Sequence, residues 1–433
     1  MVDLLDTITE RNPGLIREAA ALHGSGDIPP DTFVIDLDAI GSNTLETAAA
    51  AKKSSVKLYY MSKQLGRNPL ACRQITKSGI GKAVTIDIDE CRILHSFGFP
   101  VGHVGHLTQV PERDLKYVLD EVAPDVVTVY SMDKARRISE AAARLSVRQK
   151  ILLRVHGKRD FSYPRQISPG GFPEEHLPHD LKELSGMHGI DVEGVTSFPV
   201  FRTDLLKRSI FPLPNAETLV RCAAALKEHK GSVGQVNMPA DSTPEMFPLA
   251  RSVAGEFADS VCLEPGHGLS GSTPLHAFRS DLPEIPAIVY VSEISHVSGE
   301  EAYAFGGGMM GADAVTGLWS TDYHSHYMHS LVMHDAGGPL SVRALASPVG
   351  FIDYYIPLRS VSGNIGEFRT GDTVMLGFRP QIFVTRSHVA VVRGIHSGKA
   401  ELLGLFDSRG NLLDRRTLSP RPAPETAEMI ESI

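Results

Sequence analysis

The sequence predicts an α/β chain, an N-terminal (β/α)8 TIM barrel followed by a mainly β C-terminal domain, and three observations carry that expectation. Eight short apolar runs recur at 58–61, 83–86, 101–107, 126–129, 151–155, 192–196, 234–237 and 260–263. Amphipathic segments such as 133–145 and 216–230 separate them at about the spacing of a βαβ unit. After a proline-bearing stretch, Arg279-Ser280-Asp281-Leu282-Pro283-Glu284-Ile285-Pro286, the pattern turns to two-residue alternation punctuated by turns. A chain of 433 residues also exceeds one ordinary core, so two domains are expected.

Residues 1–31 read as a helical lead-in. Asn12-Pro13 suits an N-cap followed by proline in the first turn, and Gly24 suits the stop. Gly26-Asp27-Ile28-Pro29-Pro30 is a connector stiffened by its prolines. A strand at 32–37 and an alanine-rich helix at 38–53 open the barrel domain, 32–280, in which a long insertion, 157–188, follows the fifth strand. The β domain, 281–433, is expected to hold strands at 287–294, 301–305, 373–376, 382–384, 389–393 and 402–407. Ser362-Gly363-Asn364 and Ser408-Arg409-Gly410-Asn411 are its turns, and the tail from Pro420 is expected to be peripheral.

Composition narrows the function. A net charge of -8 gives no footing for a phosphate backbone, which argues against nucleic-acid binding. No apolar run approaches a membrane span, and the acidic N-terminus lacks a signal-peptide pattern. Cys72, Cys91, Cys222 and Cys262 form no CxxC pair and read as reduced thiols of a cytoplasmic protein.

The candidate chemistry gathers at strand ends. Leu58-Tyr59-Tyr60-Met61-Ser62 runs into Lys63, and Gly66, Asn68 and Pro69 then break the strand. A lysine at the carboxyl end of a barrel strand stands where barrel active sites sit; partly desolvated, its amine is a usable Schiff-base nucleophile. The plain alternative is a strand-end lysine reaching solvent. The last strand ends in Glu264-Pro265-Gly266-His267-Gly268, and the seventh in Asn237-Met238-Pro239-Ala240-Asp241-Ser242-Thr243. Glycine-rich turns and hydroxyls after strands 7 and 8 suit a phosphate group, although two ordinary turns would read the same way. Glu264 faces the same barrel mouth, and a carboxylate beside a pyridine nitrogen keeps that nitrogen protonated. Lysine, phosphate cradle and carboxylate together describe a pyridoxal phosphate site.

Phe33-Val34-Ile35-Asp36-Leu37-Asp38-Ala39-Ile40, Lys63 and Glu264-Pro265-Gly266 resemble the alanine racemase/ornithine decarboxylase superfamily of fold-type III enzymes, and the chain as a whole is similar to its YhfX-type branch. The resemblance implies a homodimer that takes pyridoxal phosphate and a small amino acid or amino-acid-like substrate. It implies Lys63 as the cofactor lysine, Gly266 and His267 at the phosphate and Glu264 at the pyridine nitrogen. An amino-acid racemase is the first activity implied. A decarboxylase or a lyase/aldolase of the same fold is the alternative, because racemases carry Arg-Pro-Gly where this chain has Glu264-Pro265-Gly266. A non-catalytic carrier of the cofactor fits less well, since those proteins lack a second domain, and a cofactor-free Schiff-base aldolase would leave Glu264 and the phosphate-like turns unexplained.

Further residues stay open. Arg154 suits a carboxylate or the cofactor's O3′, or a structural ion pair, and Ser197-Phe198-Pro199 suits a pocket wall. Gly366-Glu367-Phe368-Arg369-Thr370-Gly371-Asp372-Thr373-Val374-Met375-Leu376 resembles the D-threonine aldolase and D-serine dehydratase proteins, which continue into a Pro-Asn-His-x-Cys metal motif. Here Arg379-Pro380-Gln381-Ile382-Phe383 follows, so no zinc is expected. His324, His326 and His329, with His334, suit the substrate pocket better than a metal. Gly306-Gly307-Gly308-Met309-Met310-Gly311 matches GxGxxG but lies in the β domain, where it reads as a tight turn.

Overall fold

The computed structural model describes residues 4–162, 170–309, 328–334, 341–346 and 353–433. Its first layer is a parallel barrel with strands Val101–Val104, Val126–Val129, Gln149–His156, Ile190–Thr196, Gln235–Asn237 and Val261–Leu263 between Ala83–Val84 and a broken first strand. That first strand has two halves. Lys57–Leu58 pairs with Val261–Leu263, and Tyr60–Met61 pairs with Ala83–Val84, so the break at Tyr59 turns the strand from one neighbour to the other. All eight apolar runs thus become barrel strands.

Side chains fill the barrel floor. Tyr59, Met61, Val84, Ile86, Val126, Leu152 and Cys262 form one buried cluster inside it. Gly102 makes room for this packing, because a Cβ there would meet the Tyr59 ring at 2.1 Å. Helices Leu37–Lys53, Pro69–Lys77, Ile88–Ser96 and Met132–Arg144 begin at side-chain caps from Asp36, Asn68, Asp87 and Ser131, each accepting a first-turn N–H. Asn68, Asp87 and Ser131 thus start helices that follow barrel strands, whereas Asp36 starts its helix at the end of a strand of the second sheet.

The second layer is a mostly antiparallel sheet of nine strands among the described residues. Two expectations change here. Thr32–Asp36 is not a barrel strand: it lies in this sheet, antiparallel to Ile288–Ser298 and parallel to His388–Arg393. All five of its residues are buried, so its apolar run carries no sign of which sheet it joins. Residues 382–384, expected as a strand, form a 3-10 turn, Ile382–Val384.

The lead-in is two helices, Leu4–Arg11 and Pro13–Gly24, the second capped by Asn12. Leu5, Ile8, Leu15, Ile16 and Ala19 cover one face of the sheet, against Val34, Val289, Val291, Met375, Ala390 and Val392. The tail carries a helix, Ala423–Ser432, whose Thr426 and Ile430 are buried, so it is less peripheral than expected. The linker is pinned as well, since Asn43 accepts from Ile285 N at 2.7 Å and donates to the Leu269 and Ile285 carbonyls.

One side chain ties three of these parts together. Asp36 Oδ1 caps helix Leu37–Lys53 at Ala39 N, 3.1 Å, while Oδ2 accepts from Asn12 Nδ2 at 2.9 Å and faces His396 Nε2 at 3.0 Å. Asp36→Ala removes the cap and one of the two acceptors of the buried Asn12 amide, the other being the Pro286 carbonyl. We expect a loss of about 2 kcal/mol, read as a lower urea midpoint, and an unchanged midpoint would remove Asp36 as a tie.

Candidate active site

Strand Tyr60–Met61 ends at Ser62, and the 3-10 turn Lys63–Leu65 lifts Lys63 onto the rim of the barrel. Gly66 closes that turn at φ 64, with Ile382 of the β domain packed so tightly above it that a Cβ would come within 2.8 Å. Glu90 holds the turn from behind, accepting from Ser62 Oγ at 2.6 Å and from Ile86 N at 2.8 Å. The Lys63 ammonium sits 5.4 Å from the centroid of the Phe383 ring, which the β domain supplies.

A cavity of about 460 Å³ opens beside Lys63, a size suited to a small cofactor with substrate. Lys63, Glu264, Gly266 and His267 line it, with His106, Asp87 and Asp241 from the barrel and Arg379, Gln381 and Phe383 from the β domain. Phe198 and Pro199 form part of its wall.

Glu264 lies at the cavity floor with no exposed side-chain surface. Its Oε1 accepts from His103 Nδ1 at 2.6 Å and from Asn237 Nδ2 at 3.1 Å. Its Oε2 makes no hydrogen bond among the described residues, although His106 Nε2 lies 3.3 Å away. Burial pushes the Glu264 carboxyl up; the two histidines and the hydrogen bonds from His103 and Asn237 outweigh it and hold the group below its ordinary value. Burial also pushes His106 down to about 3 against the pull of Glu264, so this ring is neutral. The hydrogen bonds that steady Glu264 therefore come from His103 and Asn237.

His267 is buried, and its Nε2–H donates to the Pro380 carbonyl at 2.9 Å. Its Nδ1 then accepts, with Gln64 Nε2 and Arg379 Nη2 each at 3.5 Å. Burial and the nearby Arg379 cation keep this imidazole well below the usual histidine range. Arg379 Nη2 also donates to Asp241 Oδ1 at 2.6 Å, which ties the β domain to the turn after the seventh strand.

The glycines after the last strand pack closely against the lysine turn and the turn after the seventh strand. A Cβ on Gly266 would meet Gln64 Oε1 at 2.5 Å, and one on Gly268 would meet the Ser242 carbonyl at 2.1 Å. Ser242 Oγ donates to Ala240 O at 3.3 Å, while the buried Thr243 hydroxyl has no hydrogen-bond partner among the described residues. Ser242, Thr243 and Gly268 thus stand just behind the lining.

Arg154 and Ser197 do not line the cavity. Arg154 donates to the Phe198 carbonyl at 3.1 Å, with its guanidinium carbon 5.1 Å from the Tyr130 ring centroid, and so braces the wall. Ser197 is buried beside Asn215 Nδ2 at 3.4 Å. His324 and His326, like Met310 and Gly311 of the glycine run, lie outside the described residues. His329 faces Asp6 at 3.4 Å and His334 faces Asp372 at 2.9 Å, so neither meets the cavity. Gly306-Gly307-Gly308 is a turn whose Gly307 N, with Met309 N, donates to Asp353 Oδ2 at 2.8 Å.

His103, His106, Asn237, Gln64 and Arg379 escaped sequence reasoning as site residues. Two histidines three apart in an otherwise apolar strand end were the one available signal. With Glu264 they place three ligating atoms within 4.8 Å, but both His103 nitrogens are already committed, to Glu264 and to Thr128.

Acid should destabilise this floor. An unfolded histidine takes up a proton below about pH 6.5, whereas folded His106 does not until about 3, so protons favour the unfolded chain. His106 alone should cost about 2 kcal/mol of stability between pH 6.5 and about pH 5. Glu264 adds a loss of the same sign at lower pH, since its depressed carboxyl stabilises the fold only while ionised. Urea midpoints should fall over this range, and less steeply in His106→Gln. An equal slope in the two proteins would contradict the neutral ring.

Comparison with known proteins accords with this geometry. Residues 35–274 match the family model of the alanine racemase N-terminal domain, and residues 289–402 match that of the YhfX-like C-terminal domain. The Escherichia coli K12 protein YhfX is 34% identical over 410 residues, 94% of this chain and 99% of that one. D-threonine aldolase from Filomicrobium marinum is similar in structure at a TM-score of 0.62 with 14% identity, covering 89% of this chain and 96% of that one. Alanine racemase of Clostridium difficile 630 has a TM-score of 0.58 with 16% identity, over 88% and 98%. Diaminopimelate decarboxylase from Helicobacter pylori, complexed with L-lysine, has 0.62 with 12% identity, over 94% and 97%. These likenesses show a shared fold. The chain belongs to the alanine-racemase-like, fold-type III family, in its YhfX-like branch, a family whose members use pyridoxal phosphate.

Proposed function

We propose that this chain is a pyridoxal phosphate-dependent enzyme acting at the α-carbon of an amino acid or amino-acid-like substrate, with amino-acid racemisation as its reaction, as a homodimer in the cytoplasm. One observation carries it: Lys63, Gly266, His267 and Glu264, whose Oε2 has no hydrogen-bond partner among the described residues, line one cavity. Four buried free cysteines fit a reducing compartment.

The residues present fit the cofactor. The Thr243 hydroxyl and the turns through Gly266, His267, Gly268 and Ser242 suit its phosphate, since they bring a buried donor and close backbone to one place. Glu264 Oε2 suits its ring nitrogen, being buried, ionised and without a hydrogen-bond partner among the described residues. The bound cofactor supplies an electron sink for the α-carbon. Lys63 anchors it through the amine and then moves a proton at the α-carbon. Phe198, Pro199 and Phe383 keep water from that atom. Arg379, Gln381 and Phe383 reach the cavity from the second domain, which supports an enzyme over a carrier.

A second reading is decarboxylation or a lyase/aldolase reaction, and Glu264 itself favours it. A carboxylate at the ring nitrogen strengthens the electron sink beyond what proton exchange requires.

The protein should be yellow, and borohydride should fix the cofactor to Lys63, as read by peptide mass; Lys63→Ala should lose the visible band. A wild type that stays colourless with added pyridoxal phosphate ends this reading. Incubation with D- and L-amino acids separates the reactions: inversion supports the racemase, and release of carbon dioxide without inversion sinks it. Glu264→Ala should change the spectrum and lower turnover by about 100-fold, the scale of losing one electrostatic partner. An unaltered spectrum would remove Glu264 from the ring nitrogen.

A further inference from the structure

We propose that Thr128 and His103 form a relay beneath Glu264 that keeps its carboxylate ionised with one oxygen turned to the cavity, which makes Thr128 a positioning residue for the cofactor's charge. This rests on the pyridoxal phosphate reading above.

Neighbouring barrel strands, Val101–Val104 and Val126–Val129, carry the two side chains. His103 Nδ1 lies 2.6 Å from Glu264 Oε1, and His103 Nε2 lies 2.6 Å from Thr128 Oγ1. His103 and Thr128 are no more than 1% exposed, so water takes no part in fixing their protons. A nitrogen and a carboxylate oxygen at that distance share a proton. With the proton on Nδ1, the other nitrogen of a neutral ring can only accept, and the Thr128 hydroxyl donates to it. Each proton then has one place: Thr128 to His103, and His103 to Glu264.

The consequence falls on Glu264. His103 and Asn237 both donate to Oε1, which leaves Oε2 facing the cavity without a hydrogen-bond partner among the described residues. The other titratable groups coupled to this carboxylate are His106, Tyr59, Cys262 and Tyr130, while Arg154 and Lys63 act on the neighbouring His106. The thiol and phenols are pushed upward by burial and stay neutral, and so does His106. Of the two side chains that hydrogen-bond this carboxylate, His103 is therefore the one whose tautomer can change, since the Asn237 amide only donates there.

Loss of the hydroxyl leaves Nε2 as a buried acceptor without a donor. The ring then loses the donor that favours its proton on Nδ1, and a tautomer with the proton on Nε2 turns a bare Nδ1 toward Oε1, which favours a protonated Glu264. A neutral Glu264 no longer holds a positive ring nitrogen.

The test loads wild type, Thr128→Val and Thr128→Ser with pyridoxal phosphate labelled with the heavy nitrogen isotope in its ring, and reads the nitrogen chemical shift across neutral pH. Wild type should show a protonated nitrogen. Thr128→Val should move the signal toward neutral pyridine and raise the cofactor's Kd about tenfold. Thr128→Ser, which restores the hydroxyl, should restore both. His103→Leu should shift the signal as Thr128→Val does, and it serves where the valine variant does not fold. A wild-type shift in Thr128→Val or in His103→Leu overturns the relay, and so does a serine variant that stays shifted. A wild type that binds no cofactor instead ends the parent reading, so the two failures are distinct.

Discussion

A carboxylate with no exposed surface, set at the centre of an apolar barrel, is the constraint on which the site depends. Burying an unpaired charge is costly, and a group left alone there would neutralise. Glu264 escapes this because His103 and Asn237 reach the same oxygen from the third and seventh strands. Their approach in turn needs the barrel to close. The broken first strand closes it by pairing on one side through Lys57–Leu58 and on the other through Tyr60–Met61. That break also aims Tyr59 into the floor and Lys63 onto the rim, so backbone geometry and site chemistry share one cause.

The β domain acts as more than an appendage. Its turn Ile382–Val384 packs on Gly66, directly after the lysine turn, and its Pro380 carbonyl receives the His267 proton. Arg379 pairs with Asp241 of the barrel. The cavity is therefore a product of two layers, and its mouth keeps its shape only while they remain docked. Asp36 and the pinned linker hold that docking from the far side, where the lead-in helices and the sheet meet the first barrel helix. The strand Thr32–Asp36 crosses from one layer to the other by running into that helix, which makes the division between domains sharper in sequence than in space.

Much of this was legible in the chain itself. Eight apolar runs with helical spacing specify the barrel because parallel strands buried on both faces read as uninterrupted apolar stretches. Lys63 and Glu264 stood out because a charged residue ending such a run has to face a strand end. The same logic marked the glycine turns, where a side chain would collide. It misled at Thr32–Asp36, where apolar residues are equally at home in either sheet, and at 382–384, where apolar residues cover Gly66 as a turn instead of a strand.

Sequence by itself determined the number of barrel strands, the two-layer plan and the residues ending barrel strands one and eight, since these follow from local patterns of burial. Tertiary structure alone decided which partners meet them. His103, Asn237 and Thr128 lie on three different strands, and only the closed barrel's register brings His103 and Asn237 to one carboxylate and Thr128 to His103. Arg154 shows the reverse, a residue on the right strand that the register turns to brace Phe198 instead of the cavity. Hydrogen bonds over such separations depend on angles and distances fixed by packing, and no spacing in the linear chain encodes them.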